Sequence, residues 1–291
     1  MMTIKPLPPV IMLGMHRSGT SLLSSMLAEL GLFTGQDLQD DCESVFFIRC
    51  NDWILRQGQA TWDHPGIFLK YSNDPEWRRQ IANQLKRRLG GTRSARYAGA
   101  GHAATFRKFL ACDAPWGWKD PRNSFTLPVW LELYPDARVI HITRHGVDVA
   151  QSLITRERRL RQRFVSLVKA SAILWPRAET GAPTSPWRCA TLDGAFSLWE
   201  AYMRQSRAQV QALGSRAHEI VYEDFLRNPV PVLDRLCRFI GLSVDEDRLR
   251  RVSGAVVPGR AFAHRADPAL RDYARRLGPR LASLGYTSRD L

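Results

Sequence analysis

The chain has 291 residues, of which 44% are hydrophobic and 24% charged. That composition excludes disordered, collagen-like and membrane-embedded classes, and the length favours one large domain or a domain with an elaborated segment. The formal net charge is +14, and 36 of the 42 basic side chains are Arg. Arg grips phosphate and sulfate in bidentate fashion, so an anionic partner is expected, with most of these Arg read as solvated helix faces.

Pro9 to Leu13 is a short continuous apolar run, the pattern of a buried parallel strand. A glycine-bounded loop, Gly14 to Gly19, follows. Leu22, Leu23, Met26, Leu27 and Leu30 then recur at helical spacing, with Gly31 as a stop. A second helix is predicted over 44–55, a loop over 56–75, a basic helix over 76–89 and a loop over 90–104. Residues 116–118 read as a short strand that runs into Lys119-Asp120-Pro121-Arg122. Residues 126–134 read as a helix with Pro128 in its first turn. Residues 138–143 are the clearest further strand, and Arg144-His145-Gly146 is its turn. The next helix begins at Val147 and ends in a basic stretch, 156–163, read as its solvated end. Residues 176–192 carry Pro176, Gly181, Pro183 and Pro186 and read as irregular. A long helix over 194–213, a strand over 219–222, a helix over 230–240 and a helical tail over 268–284 complete the chain.

Strands alternating with helices imply an α/β, P-loop-like three-layer fold: a central parallel sheet flanked by helices. No repeat or linker splits the chain. The expectation is a single domain over 1–291, with an irregular excursion around 157–193.

Cysteines stand at 42, 50, 112, 189 and 237, an odd number with no C-x-x-C spacing. Neither a disulfide framework nor a cysteine zinc site is expected. The seven His lack metal-binding spacing, so no metal site is expected. No apolar run near the start is long enough for a signal peptide or a membrane span. The expected location is the cytoplasm.

The stretch Gly14-Met15-His16-Arg17-Ser18-Gly19-Thr20-Ser21 carries the most chemistry. Its two glycines let the backbone curl so that successive N–H groups point inward. The helix start beyond adds its dipole, and the hydroxyls of Thr20 and Ser21 face the same anion. Against the consensus G-x-x-x-x-G-K-[ST], Gly14, Gly19 and Ser21 fit, but Thr20 stands where the Lys should be. A cation has moved into the loop instead, as Arg17. The loop therefore suits a short 5′ anion better than a triphosphate with Mg²⁺.

This loop resembles the 5′-phosphosulfate loop of sulfotransferases that use 3′-phosphoadenylyl sulfate (PAPS). Its Arg-Ser-Gly-Thr-Ser core is similar to the protein-tyrosine and carbohydrate branch. Three further stretches carry the resemblance. Arg144 at a strand end, with Ser152 eight residues later, matches the family's 3′-phosphate site, and Arg156, twelve later, resembles an Arg that the tyrosylprotein enzymes place on the same nucleotide. Trp118-Lys119-Asp120-Pro121-Arg122 resembles its Lys-Asp-Pro segment, and Tyr222-Glu223-Asp224-Phe225-Leu226 its segment near the nucleotide. The likeness covers roughly 9–45, 116–156 and 218–242.

The resemblance implies PAPS as donor, 3′,5′-bisphosphoadenosine (PAP) as product, no metal, and in-line sulfuryl transfer to a hydroxyl. It implies nucleotide contacts from Gly14, Arg17, Ser18, Gly19, Thr20, Ser21, Arg144, Ser152, Arg156 and Tyr222. Arg17 serves the bridging oxygen, and Lys119 the sulfuryl oxygens. For the general base, Glu43 leads, with Asp41 and His16 as alternatives; Asp40 and Asp41 are read as caps of the second helix.

The acceptor (small molecule, glycan or peptide) and the oligomeric state stay open. The excursion lies on the acceptor side, where Trp175 and Trp187 either stack on a sugar or aromatic acceptor or pin a loop. Two other functions compete. A P-loop small-molecule kinase would need a loop Lys and a strand-end Asp, and both are missing. A basic nucleic-acid-binding protein would need a phosphate-tracking stripe interleaved with aromatics, and none is evident.

Overall fold

The computed structural model describes residues 7–99, 114–170 and 187–290, with backbone alone for 163–170 and 187. Two compact units make up the chain: 1–144 with 202–261, and 145–201 with 262–291.

Among the described residues the first unit is built on four parallel strands in the order β2-β1-β3-β4. These are β1 (Val10–Leu13), β2 (Gly117–Lys119), β3 (Arg138–Thr143) and β4 (Ala217–Val221). In register, Met12 stands opposite both Lys119 and Ile140. The alternation of strand side chains sets the two faces. Val10, Met12, Ile140 and Ile142 share one apolar core with Leu23, Met26 and Leu27 of α1 (Thr20–Glu29). Leu233 and Leu236 of a later helix, Pro229–Ile240, complete that core. On the other face Ile11, Leu13 and Val139 are wholly buried. The fold is therefore the P-loop-like sheet with helical cover that the strand–helix alternation predicts.

Four readings of elements change. Helix α2 spans Val45–Gln57 and is capped by Ser44 and by Asp37, whose carboxylate accepts from the Ser44 hydroxyl and the Phe46 N–H. Asp40 and Asp41 do not cap it. After α3 (Pro75–Leu89), helix α4 runs Asn123–Leu133, so Pro128 lies in its interior, not its first turn. The flanking Leu127, Val129 and Trp130 are fully buried, and that packing carries the helix through the missing N–H. Helix Glu246–Ser253 was not foreseen: its charged sequence hides Leu249 and Val252, which join the core. The loop expected over 56–75 also contains a helical turn, Phe68–Ser72.

Asn51 of α2 locks this unit from inside. Its Nδ2 donates to Asp120 Oδ2 (2.8 Å) and Asn123 Oδ1 (2.9 Å), and its Oδ1 accepts from Thr126 (2.7 Å) and Trp130 (2.8 Å).

The second unit is helical and contains the start of α5 (Gly146–Ala170). Asp148 accepts from the backbone N–H of His264 at 2.7 Å and from that of Ala263 at 3.1 Å. The rings of His145 and His264 stack at 4.2 Å, and Tyr286 meets His145 edge-on. Burial, and then the neighbouring His264, lower His145 to about 3. Of the excursion, 171–186 lie outside the described residues, as do Trp175 and the side chain of Trp187. Cys112 and residues 100–104 of the predicted loop also lie outside them.

Candidate active site

Parallel strands bring their C-terminal ends to one edge, where α/β folds bind ligands. Each strand of the first unit contributes there. β1 runs into the loop at Gly14, β2 ends on Lys119, β3 is followed by Arg144, and β4 by Tyr222.

Glycine is required at both ends of the loop. Gly14 has φ +147° and Gly19 φ +92°. A methyl group on Gly14 would lie 2.4 Å from the Ile142 carbonyl oxygen, and one on Gly19 would lie 2.4 Å from the Tyr222 ring. Arg17 at the loop tip is left-handed too (φ +71°) and exposed. The first turn of α1 has no side-chain cap, so its N–H groups are available to an anion. Ser18 is wholly buried and its hydroxyl has no protein partner. Thr20 and Ser21 open the helix.

Arg144 ties this loop to a turn the sequence reading missed. Its guanidinium donates to the carbonyl of Arg17 (3.0 Å) and to that of Arg260 (3.3 Å), and it lies 4.7 Å from the Tyr222 ring centre. A cavity of about 350 Å³ opens beside it, lined by Arg17, Gly19, Thr20, Ser21, Tyr222 and Arg260 among others. Arg260 sits in a short turn, Pro258–Arg260. Its only sequence signal was the Pro-Gly pair before it, which marks a turn and not a ligand. Ser152 and Arg156 stand one turn apart on α5, in the second unit.

A second group of charges lies around the end of β2. Lys119 Nζ is 2.8 Å from Glu43 Oε1, and Arg122 is 3.5 Å from the other Glu43 oxygen. Arg122 also pairs with Asp52 at 2.7 Å and Asp120 at 3.0 Å. Burial, reinforced by the Asp120 carboxylate, pushes Glu43 up to about 7 against the pull of Lys119. A carboxyl poised near neutrality can take up a proton during turnover. The structure thus brings together two residues that stand 76 apart in the chain. The other base candidates are placed differently. His16 is buried, its ring edge-on to Trp62 at 4.8 Å. Asp41 has an oxygen with no hydrogen-bond partner.

The sequence profile of the sulfotransferase family matches residues 8–246. The chain belongs to the sulfotransferase family. Its reaction is sulfuryl transfer from PAPS to a hydroxyl, with release of PAP; the kinase and nucleic-acid readings fall away.

This sulfotransferase is similar in fold to the sulfotransferase domain from the curacin biosynthetic pathway. The identity is 16%, over 94% of this chain and 98% of that one, with a TM-score of 0.50. The sulfotransferase domain of the Synechococcus PCC 7002 olefin synthase is 23% identical, over 94% and 90% of the two chains, with a TM-score of 0.48. Retinol dehydratase, solved with androsterone and inactive cofactor PAP, is 15% identical over 98% and 83%, with a TM-score of 0.42. No curated protein sequence is significantly similar to this chain.

Among the described residues no group of three or more His, Cys, Asp or Glu could hold a metal ion. No helix among them is long and apolar enough to cross a membrane.

Proposed function

We propose that this sulfotransferase binds its donor in the cavity beside the Gly14–Ser21 loop and transfers the sulfuryl group with Arg17, Lys119 and Glu43. The observation that carries the assignment is the Lys119–Glu43 pair at the C-terminal end of β2, a cation and a near-neutral carboxyl side by side.

The loop N–H groups, Ser18, Thr20 and Ser21 hold the 5′-phosphate in this scheme. Arg144 holds the 3′-phosphate, with Tyr222 against its guanidinium. Ser152 and Arg156 keep the roles the resemblance implies. Glu43 takes the proton of the acceptor hydroxyl as that oxygen forms its bond to sulfur. The bond from sulfur to the bridging oxygen breaks, and its electron pair stays on the 5′-phosphate of PAP. Arg17 stabilises the charge arriving on that oxygen. Lys119 stabilises the equatorial sulfuryl oxygens, where charge builds in the transition state. Arg122, held by Asp52 and Asp120, keeps Glu43 oriented. In this scheme Arg17 and Lys119 supply the charge that a metal ion supplies in phosphoryl transfer, so the reaction needs no metal.

The acceptor in this reading is a hydroxyl-bearing small molecule, glycan or peptide. The free thiols of Cys42, Cys50, Cys189 and Cys237 suit a reducing, cytoplasmic setting.

Calorimetric titration with PAP and with 5′-AMP tests the nucleotide assignment. Replacing Arg144 by Gln is expected to weaken PAP by about tenfold or more, the worth of a lost charge-assisted bond, and 5′-AMP far less. Equal weakening of both ligands would remove Arg144 from the 3′-phosphate.

A further inference from the structure

The first unit holds a larger cavity, of about 610 Å³, whose lining shares no residue with the nucleotide cavity. That volume is in the range of small-molecule sites. Four of its lining residues are Arg: Arg49 of α2, Arg88 at the end of α3, and Arg93 and Arg96 just beyond. The apolar part of the wall comes from Val45 and Phe46. Among the described residues the lining contains no acidic side chain.

Several exposed Arg elsewhere on this chain are paired within their own helix. Arg79 pairs with Glu76, Arg227 with Asp224, Arg250 with Glu246 and Arg275 with Asp272. Among the described residues, none of the four cavity Arg has a carboxylate within ion-pair distance. Arg88 is explained in part. It lies in the last turn of α3, where the helix dipole favours cations, and its guanidinium lies 4.2 Å from the Trp53 ring centre. Neither account reaches Arg49, in the first half of α2, and Arg93 and Arg96 lie on single helical turns of three and four residues, too short for a sizeable dipole. Four like charges around one concavity repel one another, and a bound anion relieves that repulsion. A cavity lined by both guanidinium groups and apolar side chains suits an organic ion better than an inorganic one. The thiol in the described wall, Cys50, is pushed up to about 12 by burial, so the site is built for binding and not for thiol chemistry.

We infer that this cavity is a second ligand site, for a small organic molecule that carries two or more sulfate, phosphate or carboxylate groups on an apolar body. It sits on the flank of α2, the helix that begins two residues after Glu43. The inference does not depend on the sulfotransferase chemistry, and its readout is binding alone.

Naphthalene-1,5-disulfonate is a suitable probe, with naphthalene-2,6-dicarboxylate to separate tetrahedral from planar anions. Binding is measured on the full chain at fixed ionic strength. The variant R49S/R93S/R96S is expected to weaken the preferred probe by about tenfold or more. A charge-matched variant at exposed positions elsewhere, R235S/R251S/R271S, is expected to change it less than about threefold. The melting temperature and far-ultraviolet dichroism of both variants show that the fold is kept. Saturating PAP should leave the probe bound. Equal losses in the two variants would reduce the effect to general charge and overturn the site. So would displacement of the probe by PAP, which would place it in the nucleotide cavity. A weak response to PAP itself would count against the nucleotide assignment and not against this one.

Discussion

Lys119 Nζ lies 2.8 Å from Glu43 Oε1, and both side chains are closed to solvent, at 1% and 4% exposure. A buried ion pair of this kind is costly to assemble and is poor evidence of stability on its own. Its position at a strand end, with Arg122 on the other carboxyl oxygen, gives it a chemical reading. Glu43 stays near neutral pH because burial opposes its charge more than Lys119 supports it.

The first prediction concerns the pH profile. Glu43 must be deprotonated to act as a base, so sulfuryl transfer should rise with pH through about 7. Glu43→Gln should remove this limb and lower kcat by about 10²–10⁴-fold. Lys119→Met should move the limb to higher pH, because the cation that favours the carboxylate is gone. A limb that persists unchanged in Glu43→Gln would assign the base elsewhere.

A second prediction concerns the loop. Gly19→Ala puts a methyl group 2.4 Å from the Tyr222 ring at a φ of +92°. The backbone strain alone costs about 1–2 kcal/mol, and the clash adds to it. The variant should melt lower and lose PAP affinity. Adding Tyr222→Ala should restore only part of the melting temperature, since the strain at Gly19 remains. Full recovery would make the ring contact the whole cause.

Asn51 supports the third. All four of its polar contacts are buried, and Asn51→Leu would leave Asp120 Oδ2 and Trp130 Nε1 without this partner, while Asn123 keeps Trp118 and Thr126 keeps the Arg122 carbonyl. Urea unfolding should show a loss of about 3 kcal/mol, given the cost of buried groups left without partners. A loss below about 1 kcal/mol would mean that the network rearranges without penalty.

The fourth concerns stability at acid pH. His145 is lowered to about 3 in the fold, while an unfolded His titrates near 6.5. The unfolded chain therefore binds the extra proton, and stability falls as pH drops from about 6.5 toward 3. One proton sets a slope of at most about 1.4 kcal/mol per pH unit. His145→Phe should flatten the urea midpoint between pH 6.5 and 5. An unchanged slope would assign the proton to another group.

The fold was legible where its signal is local. Apolar strands, the glycine-bounded loop and the strand-end Arg144 lie within a few residues of one another, and short-range periodicity reports them. Glu43 was named through the family resemblance, as the acid ahead of the Phe46-Phe47 helix, yet its pairing with Lys119 joins two segments that no periodicity connects. Arg260 and Leu249 were not legible for the same reason: a turn and a charged helix give no sign of what they will pack against. The four Arg of the second cavity were lost among 36, since sequence does not tell which guanidinium groups converge. Pro128 misled because its usual place in a first turn was overridden by the burial of Leu127, Val129 and Trp130.

The most direct test is thermal stabilisation by PAP, compared with 5′-AMP and with ATP plus Mg²⁺ at matched concentration and salt. A ligand selective for the native state stabilises it by about 2.7 kcal/mol at one hundred times its Kd. A sulfotransferase built as described here should shift strongly with PAP, weakly with 5′-AMP, and equally well with EDTA present. A preference for ATP with Mg²⁺, or equal shifts with PAP and 5′-AMP, would contradict the account.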